Sequence, residues 1–389
     1  MKLVIPYETP GAWESSRAKW LFESQQRPVG RDSEVVTAFR NGEVTARSRR
    51  RTEGFTNAVE EIGYQGVRKG DLVIHSMDGF AGAIGVSDSD GKMSPVVHCY
   101  RPRPSVDARY YAYLLRDLAV RGYVTSLARG IRERSTAFDC QTFRSLVLPV
   151  PPEACQRAIA DYLDTETARI DALIEKKQRM ESLLEERWRA AAFERVQRVA
   201  AQYGCVPLRR VVRCLDGRRV PLSSEQRASR GGPYPYYGAS NVLDYVDDFL
   251  FDEDLVLVGE DGAQLGDPTY AIAQRVAGKI WVNNHAHVLR PISVDADLLV
   301  FLLNTFNRVP FMSGATREKI TQEDLGRVPF PNAPSHVQAV EASRLVAIRS
   351  GCDAVVTALR TQMEKLREHR QALITAAVTG ELHIPGVAA

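Results

Sequence analysis

Basic, aromatic and amide side chains recur in turn-rich stretches of this chain, and together they suit the recognition of a polyanion. Toward the N-terminus Arg40, Arg47, Arg49, Arg50 and Arg51 surround Thr45 and Ser48, and Arg129, Arg132 and Arg134 crowd Gly130. Farther on, Arg218, Arg219, Arg227 and Arg230 precede Pro233, Tyr234, Pro235, Tyr236, Tyr237 and Gly238; Asn241, Lys279, Asn283 and Asn284 come next, then Arg317 and Lys319. Arg and Lys neutralise phosphates, while Arg presents paired donors, and Asn a paired donor and acceptor, to base edges in the major groove. An arginine run also suits a plain solvated surface. Its recurrence in both halves of the chain favours DNA.

Other chemistries find less support. Gly79, Gly82 and Gly85 form a loose triplet that opens no βαβ unit, and there is no G-x-x-x-x-G-K-[ST], so neither a dinucleotide fold nor a P-loop is expected. Asp267, Pro268, Thr269 and Tyr270 approach the D-P-P-Y of amino-methyltransferases but read as a turn, because no glycine-rich methyl-donor site precedes them. His285 and His287 could share one strand face, yet two imidazoles without Cys or carboxylate partners make a weak metal site. A structural or DNA-facing role suits them better.

A longer pattern sets the scaffold for these residues. After Leu148, Pro149, Val150, Pro151 and Pro152, which force an extended entry, the chain from Glu153 to Tyr203 has neither Pro nor Gly. Leu163, Ile170, Leu184 and Ala191 share a seven-residue register, with Ile159, Leu173, Ile174, Met180 and Trp188 beside it. This predicts one amphipathic helix of roughly 70 Å, whose apolar face needs another helix to cover it. An offset of 182 supplies that helix: Leu146 maps to Val328, Pro149 to Pro331, Pro152 to Pro334, Gln156 to Gln338, Leu163 to Leu345 and Leu184 to Leu366. In the second copy Leu345, Cys352, Leu359, Leu366 and Leu373 stand seven apart.

The globular stretches repeat as well. Asp71–Ile74 followed by Asp78 and Gly79 is answered by Asp254–Leu257 followed by Asp261 and Gly262. His98–Pro102 is answered by His287–Pro291, and a helix predicted over Ala108–Val120 by one over Leu298–Phe306. The chain is therefore an internal duplication. The expected class is α+β: two similar mixed α/β units joined by two long antiparallel coiled-coil helices with pseudo-twofold symmetry.

A 389-residue chain with 44% hydrophobic content can bury more than one core. Net charge is only +3, so any nucleic-acid surface must be a local patch. Six scattered cysteines without a C-x-x-C pair suit a reduced intracellular protein. Met1–Ile5 meets Pro6 at once and is not expected to be a signal peptide, and no apolar run reaches the ~20 residues of a bilayer span.

Proline-led paired helices, the ending Arg370–Gly380 and the stretches Leu215–Leu222 and Pro233–Ala239 together resemble the specificity subunits of Type I restriction-modification systems. The first copy departs at its close, where Phe193, Glu194, Arg195 and Val196 replace that ending, and neither half has the usual Glu before its glutamine. The resemblance implies a non-catalytic DNA-reading subunit, cytoplasmic, in which 1–151 and 204–333 are target recognition domains. Residues 152–203 are then the central spacer helix, and 334–389 the distal spacer helix and tail. Arg47, Arg49, Arg50, Arg132 and Arg134 are expected to contact one half of a bipartite double-stranded target. Arg218, Arg219, Tyr234, Tyr236, Asn241, Lys279, Asn283, Arg317 and Lys319 are expected to contact the other.

Leu163, Ile170, Leu184, Leu345, Leu359, Leu366 and Leu373 are the expected helix–helix seam. Two modification subunits and the restriction subunits are the implied partners. No cofactor is expected in this chain; S-adenosylmethionine, ATP and magnesium would belong to the partners. Two other readings stay open: a recognition subunit whose partner fuses nuclease and methyltransferase, and a coiled-coil adaptor that binds no DNA.

Overall fold

The computed structural model describes residues 3–8, 10–11, 13–30, 33–50, 62–127, 138–262, 265–267, 269–314 and 318–384. They pack as two compact units, one of Met1–Lys176 with Gln362–Ala389, the other of Lys177–Thr361. Each unit thus owns part of each long helix.

Unit one is built on an antiparallel sheet of Phe22–Gln25 (β1), Leu72–His75 (β2), Ile84–Val86 (β3) and Val97–Pro102 (β4), in the order β1-β4-β2-β3. Helix α1 (Ala108–Val120) lies against β3 and buries Tyr110, Tyr111, Leu114, Leu115 and Leu118. Its N-terminus is capped by Asp107, whose carboxylate accepts the Arg109 N–H. Strand Leu146–Val150 pairs antiparallel with Glu14–Arg17 and parallel with Leu3–Val4, then leads into helix α2 (Glu153–Tyr203). Pro149 lacks an N–H and lies beyond the two residues that Leu3–Val4 matches, so no ladder bond is lost there.

Unit two repeats this frame. Val212–Cys214 (β5), Leu255–Gly259 (β6), Ala273–Val276 (β7) and Ala286–Pro291 (β8) form an antiparallel sheet in the order β5-β8-β6-β7, the same permutation as in unit one. Helix α3 (Ala296–Thr305), capped by Asp295, answers α1, and Pro329–Pro331 leads into helix α4 (Ser335–Thr379). What does not repeat are the additions to the frame. Unit one carries the two-stranded pairs Val36–Ala38/Val44–Ala46 and Gln65–Val67/Gly91–Met93. Unit two carries a second four-stranded sheet, in which Gly231–Tyr237 lies between Val242–Val246 and Lys279–Val282, with Phe251–Asp252 beyond.

In unit two the long helices run antiparallel, since Glu181, Glu185 and Arg195 of α2 meet Arg360, Arg349 and Glu341 of α4 at 2.6, 2.8 and 2.8 Å. In unit one Asp171 meets Arg370 at 2.9 Å. Of the expected seam, Leu163, Ile170, Leu345 and Leu359 are buried, whereas Leu184, Leu366 and Leu373 are half-covered. Leu163 and Leu345 are buried largely by the globular cores rather than by helix on helix. Along α2 between Ile170 and Trp188 no residue is buried, and Leu173, Met180 and Leu183 are exposed. No helix among the described residues is long and apolar enough to cross a membrane, and the six cysteines are free thiols.

The matched glutamines explain the offset physically. Buried Gln156 accepts the Asp107 N–H at 2.9 Å and donates to the carbonyls of Pro151 (2.8 Å) and Ser105 (3.3 Å). Buried Gln338 does the same with Asp295 (2.9 Å), Ala333 (2.8 Å) and Ser293 (3.2 Å). One amide thus clips the start of a long helix to the capped start of the short one. Replacing Gln156 with Leu strands a buried N–H and should cost unit one about 2 kcal/mol. Gln338→Leu should do the same to unit two. Hydrogen exchange at the Asp107 and Asp295 amides checks this, and a variant that loosens both amides together would contradict independent clips.

Candidate nucleic-acid interface

The arginines of unit one sit on an addition to the frame. Val36–Ala38 and Val44–Ala46 form a hairpin that runs into a single helical turn, Arg47–Arg50. Arg47 donates to the Thr37 hydroxyl at 3.4 Å, and Arg50 stacks 3.9 Å from the Phe39 ring centroid while reaching Asn41 and Glu43. Arg40, Asn41, Arg47, Arg50 and His75 line one cleft of about 460 Å³. Arg49 points elsewhere, to Asp88 at 3.3 Å.

Sequence reasoning missed His75. Burial lowers its basicity, only partly opposed by Asp78, and its Nδ1 accepts the Asp78 N–H at 3.1 Å. The neutral ring therefore carries its proton on Nε2 and is a donor there. Its place at the end of a strand before the Asp78–Gly79 turn was the available signal. Arg51, Arg129, Arg132 and Arg134 lie outside the described residues.

In unit two the added sheet holds most of the expected contacts, but the structure divides them. Lys279 is exposed, with its ammonium 4.7 and 5.8 Å from the ring centroids of Phe249 and Tyr234, which themselves pack edge to face. Asn241 is exposed in the turn after Tyr237, and Arg218 lies 4.6 Å over the Phe251 ring. Exposed Lys319 pairs through its backbone with Ser313 and Asp261, and Arg317 lies outside the described residues. A cation over an aromatic face is held without being neutralised, so Lys279 remains available to a phosphate, whereas Arg218 also meets Glu253 at 3.5 Å and donates to the Leu250 carbonyl at 2.6 Å.

Tyr236, Asn283 and Arg219 are scaffold instead. Tyr236 is buried with Val246 and Trp281, and its hydroxyl accepts the Leu222 N–H at 2.9 Å. It shares a strand face with Tyr234 but sits two residues farther into the core. Asn283 is buried and accepts the His285 N–H at 2.8 Å. Arg219 spends its guanidinium on Glu260 (2.9 Å) and the carbonyls of Asp216 (3.1 Å) and Ala286 (2.8 Å). Arg227 and Arg230 stack at 5.3 and 4.8 Å over Tyr236 and Trp281 on the same sheet.

His285 and His287 do not share a face. His285 stands in the turn before β8, 3.1 Å from Asp261, while His287 is inside the strand and buried. Cys214, Asp216 and His287 come within 4.8 Å of one another. His287 Nδ1 is 2.6 Å from Asp216 and Nε2 is 2.8 Å from the Ile320 carbonyl, so neither ring nitrogen turns a lone pair to a cation.

Residues 211–365 match the family described as the Type I restriction modification DNA specificity domain. A protein of Haemophilus influenzae named as a type I restriction enzyme specificity subunit is 37% identical over 133 residues. That match covers 34% of this chain and 34% of the relative, so it spans about a third of the relative's length. The fold resembles that of a chain from a solved structure described as the structural basis underlying complex assembly and conformational transition of the type I R-M system. Its TM-score is 0.68 at 17% identity, over 97% of this chain and 100% of that one. The family match thus lies within residues 211–365, and the likeness that extends over the whole chain is one of fold.

Proposed function

We propose that the chain is the sequence-reading subunit of a Type I restriction-modification complex, itself non-catalytic, with each unit reading one half of a bipartite duplex target. One observation carries this reading. The frame of sheet, capped helix and glutamine clip is built twice, whereas Arg47, Arg50, Tyr234 and Lys279 stand on additions that are not repeated. A shared frame bearing unlike donor surfaces suits two unlike half-sites. Two modification subunits carrying S-adenosylmethionine would methylate adenine, and restriction subunits using ATP and magnesium would join them in the cytoplasm. Length of α2 would set the unspecified gap between the half-sites.

Methylome sequencing of cells with and without the gene tests the reading. A bipartite methylated motif that vanishes with the gene is expected, and an unchanged methylome would count against it. Four residues inserted near Lys177 add roughly 6 Å and about one helical turn, so the same two half-sites should return with a gap longer by one or two base pairs. Lys279→Ala should weaken binding to all sequences alike and reduce the salt slope by about 1. A salt titration of duplex affinity measures that, and a change confined to one base would show instead that Lys279 reads a base edge.

A further inference from the structure

His287 presents a problem of proton count. One N–H is all that a neutral imidazole carries, yet both ring nitrogens face acceptors, the Asp216 carboxylate and the Ile320 carbonyl. Only the imidazolium serves both. Around the buried ring stand Cys214, Asp216 and Arg219 from the β5 segment and Glu260 just beyond β6. Asp216 also accepts the Val288 N–H at 2.8 Å, and Arg219 reaches Glu260 at 2.9 Å. With the ring protonated, two carboxylates and two cations balance; without it, one buried negative charge is left over. Burial works against the ring's charge, but Asp216 and the Ile320 carbonyl prevail and hold it above the usual histidine range. The same contact holds Asp216 below the usual carboxylate range despite its burial.

The Ile320 peptide is where the recognition surface meets this core. Its N–H donates to Glu260 O at 3.0 Å, and its neighbour Lys319 is paired to Ser313 by two 2.9 Å backbone bonds. On its other side Thr321 caps helix Gln322–Arg327. Loss of the ring proton leaves either Asp216 or Ile320 facing a lone pair. We infer that His287 is a positioning residue for the second half-site: its protonated ring pins the Ile320 carbonyl and so places Lys319, making that half-site's reading pH-dependent. The inference rests on the DNA-reading function proposed above. By linkage, a raised folded-state value means that the contribution is complete below the ordinary histidine range and is lost as pH rises through the folded-state value.

The test uses the full chain co-expressed with its modification subunits, bound to a library of randomised duplexes on the acid and alkaline sides of the folded-state titration. That titration is followed by the carbon-13 signal of the His287 ring. Base preference in the second half-site should fall about tenfold on the alkaline side, the loss of one good base contact, while the first half-site is unchanged. Asp216→Asn is the decisive variant. Its amide can donate to a neutral Nδ1, leaving Nε2–H for Ile320, so preference should persist across the range. His287→Phe should be weak throughout. Equal preference on both sides of the ring titration, a parallel fall in both half-sites, or pH dependence retained in Asp216→Asn would each overturn the inference. A library that returns no half-site at either pH overturns the DNA reading itself, which is a different failure.

Discussion

Deleting the chain from Gln371 onward should unfold unit one while leaving unit two folded. Ile374, Ala377 and Val378 are buried in the same core as Tyr110, Leu114 and Leu118, and the Tyr110 hydroxyl donates to Val378 O at 3.0 Å. Buried Asp117 accepts hydrogen bonds from Tyr7, Gln371 and Thr375, and Arg121 approaches it at 3.6 Å. The deletion removes three buried branched aliphatic side chains, Ile374, Val378 and Ile384, worth about 1.5–3 kcal/mol each, and leaves a carboxylate short of two donors at a further cost of several kcal/mol. A domain's whole stability is about 5–15 kcal/mol. Hydrogen exchange decides the matter: amides of Leu72–Ile74 should lose protection while those of Val256 and Leu289 keep it. Unit-one strands that stay protected would refute the argument.

Arg219→Ala should act on stability before it acts on recognition. The side chain is nearly buried and ties Asp216, Glu260 and Ala286 together, so its removal leaves Glu260 without its cation and takes the side-chain donor from the Ala286 carbonyl. Breaking such a pair from one side costs about 3–5 kcal/mol, reduced here by partial access of water to Glu260, so we expect about 3 kcal/mol. A urea midpoint shift with an unchanged slope would show it. An unaltered midpoint combined with loss of one half-site would mean that Arg219 faces DNA after all.

Long helices and the duplication were legible because proline entry, heptad spacing and a constant offset are local, one-dimensional signals. Helix α1 was legible to the residue, and β2, β4, β6 and α3 to within a residue or two. The offset also flagged Gln156 and Gln338, though not their use as clips, because the amides they accept lie 49 and 43 residues upstream. The added sheet of unit two was not legible at all. It has no counterpart at the offset, and its parallel pairing of Tyr236 with Trp281 joins strands 45 residues apart. Composition marked Tyr236, Asn283 and Arg219 as ligand-facing since Tyr, Asn and Arg suit base edges and buried networks equally. Which use applies depends on pleat position and on distant partners such as Ile320, and no spacing rule carries that.

The C-terminal turns of α4 complete the core of the unit that the N-terminus begins. During synthesis this reverses the usual order. Unit two, Lys177–Thr361, is fully translated before the ribosome reaches the residues unit one still lacks. At ~5–20 residues per second the first 176 residues wait about 10–40 s for Gln362 and the turns beyond it. Throughout that interval the apolar faces of Tyr110, Leu114 and Leu118 are incompletely covered, open to chaperones and proteases. A messenger that ends early yields a chain with one finished unit and one unfinished, so quality control can remove a half-reader before it is ever assembled.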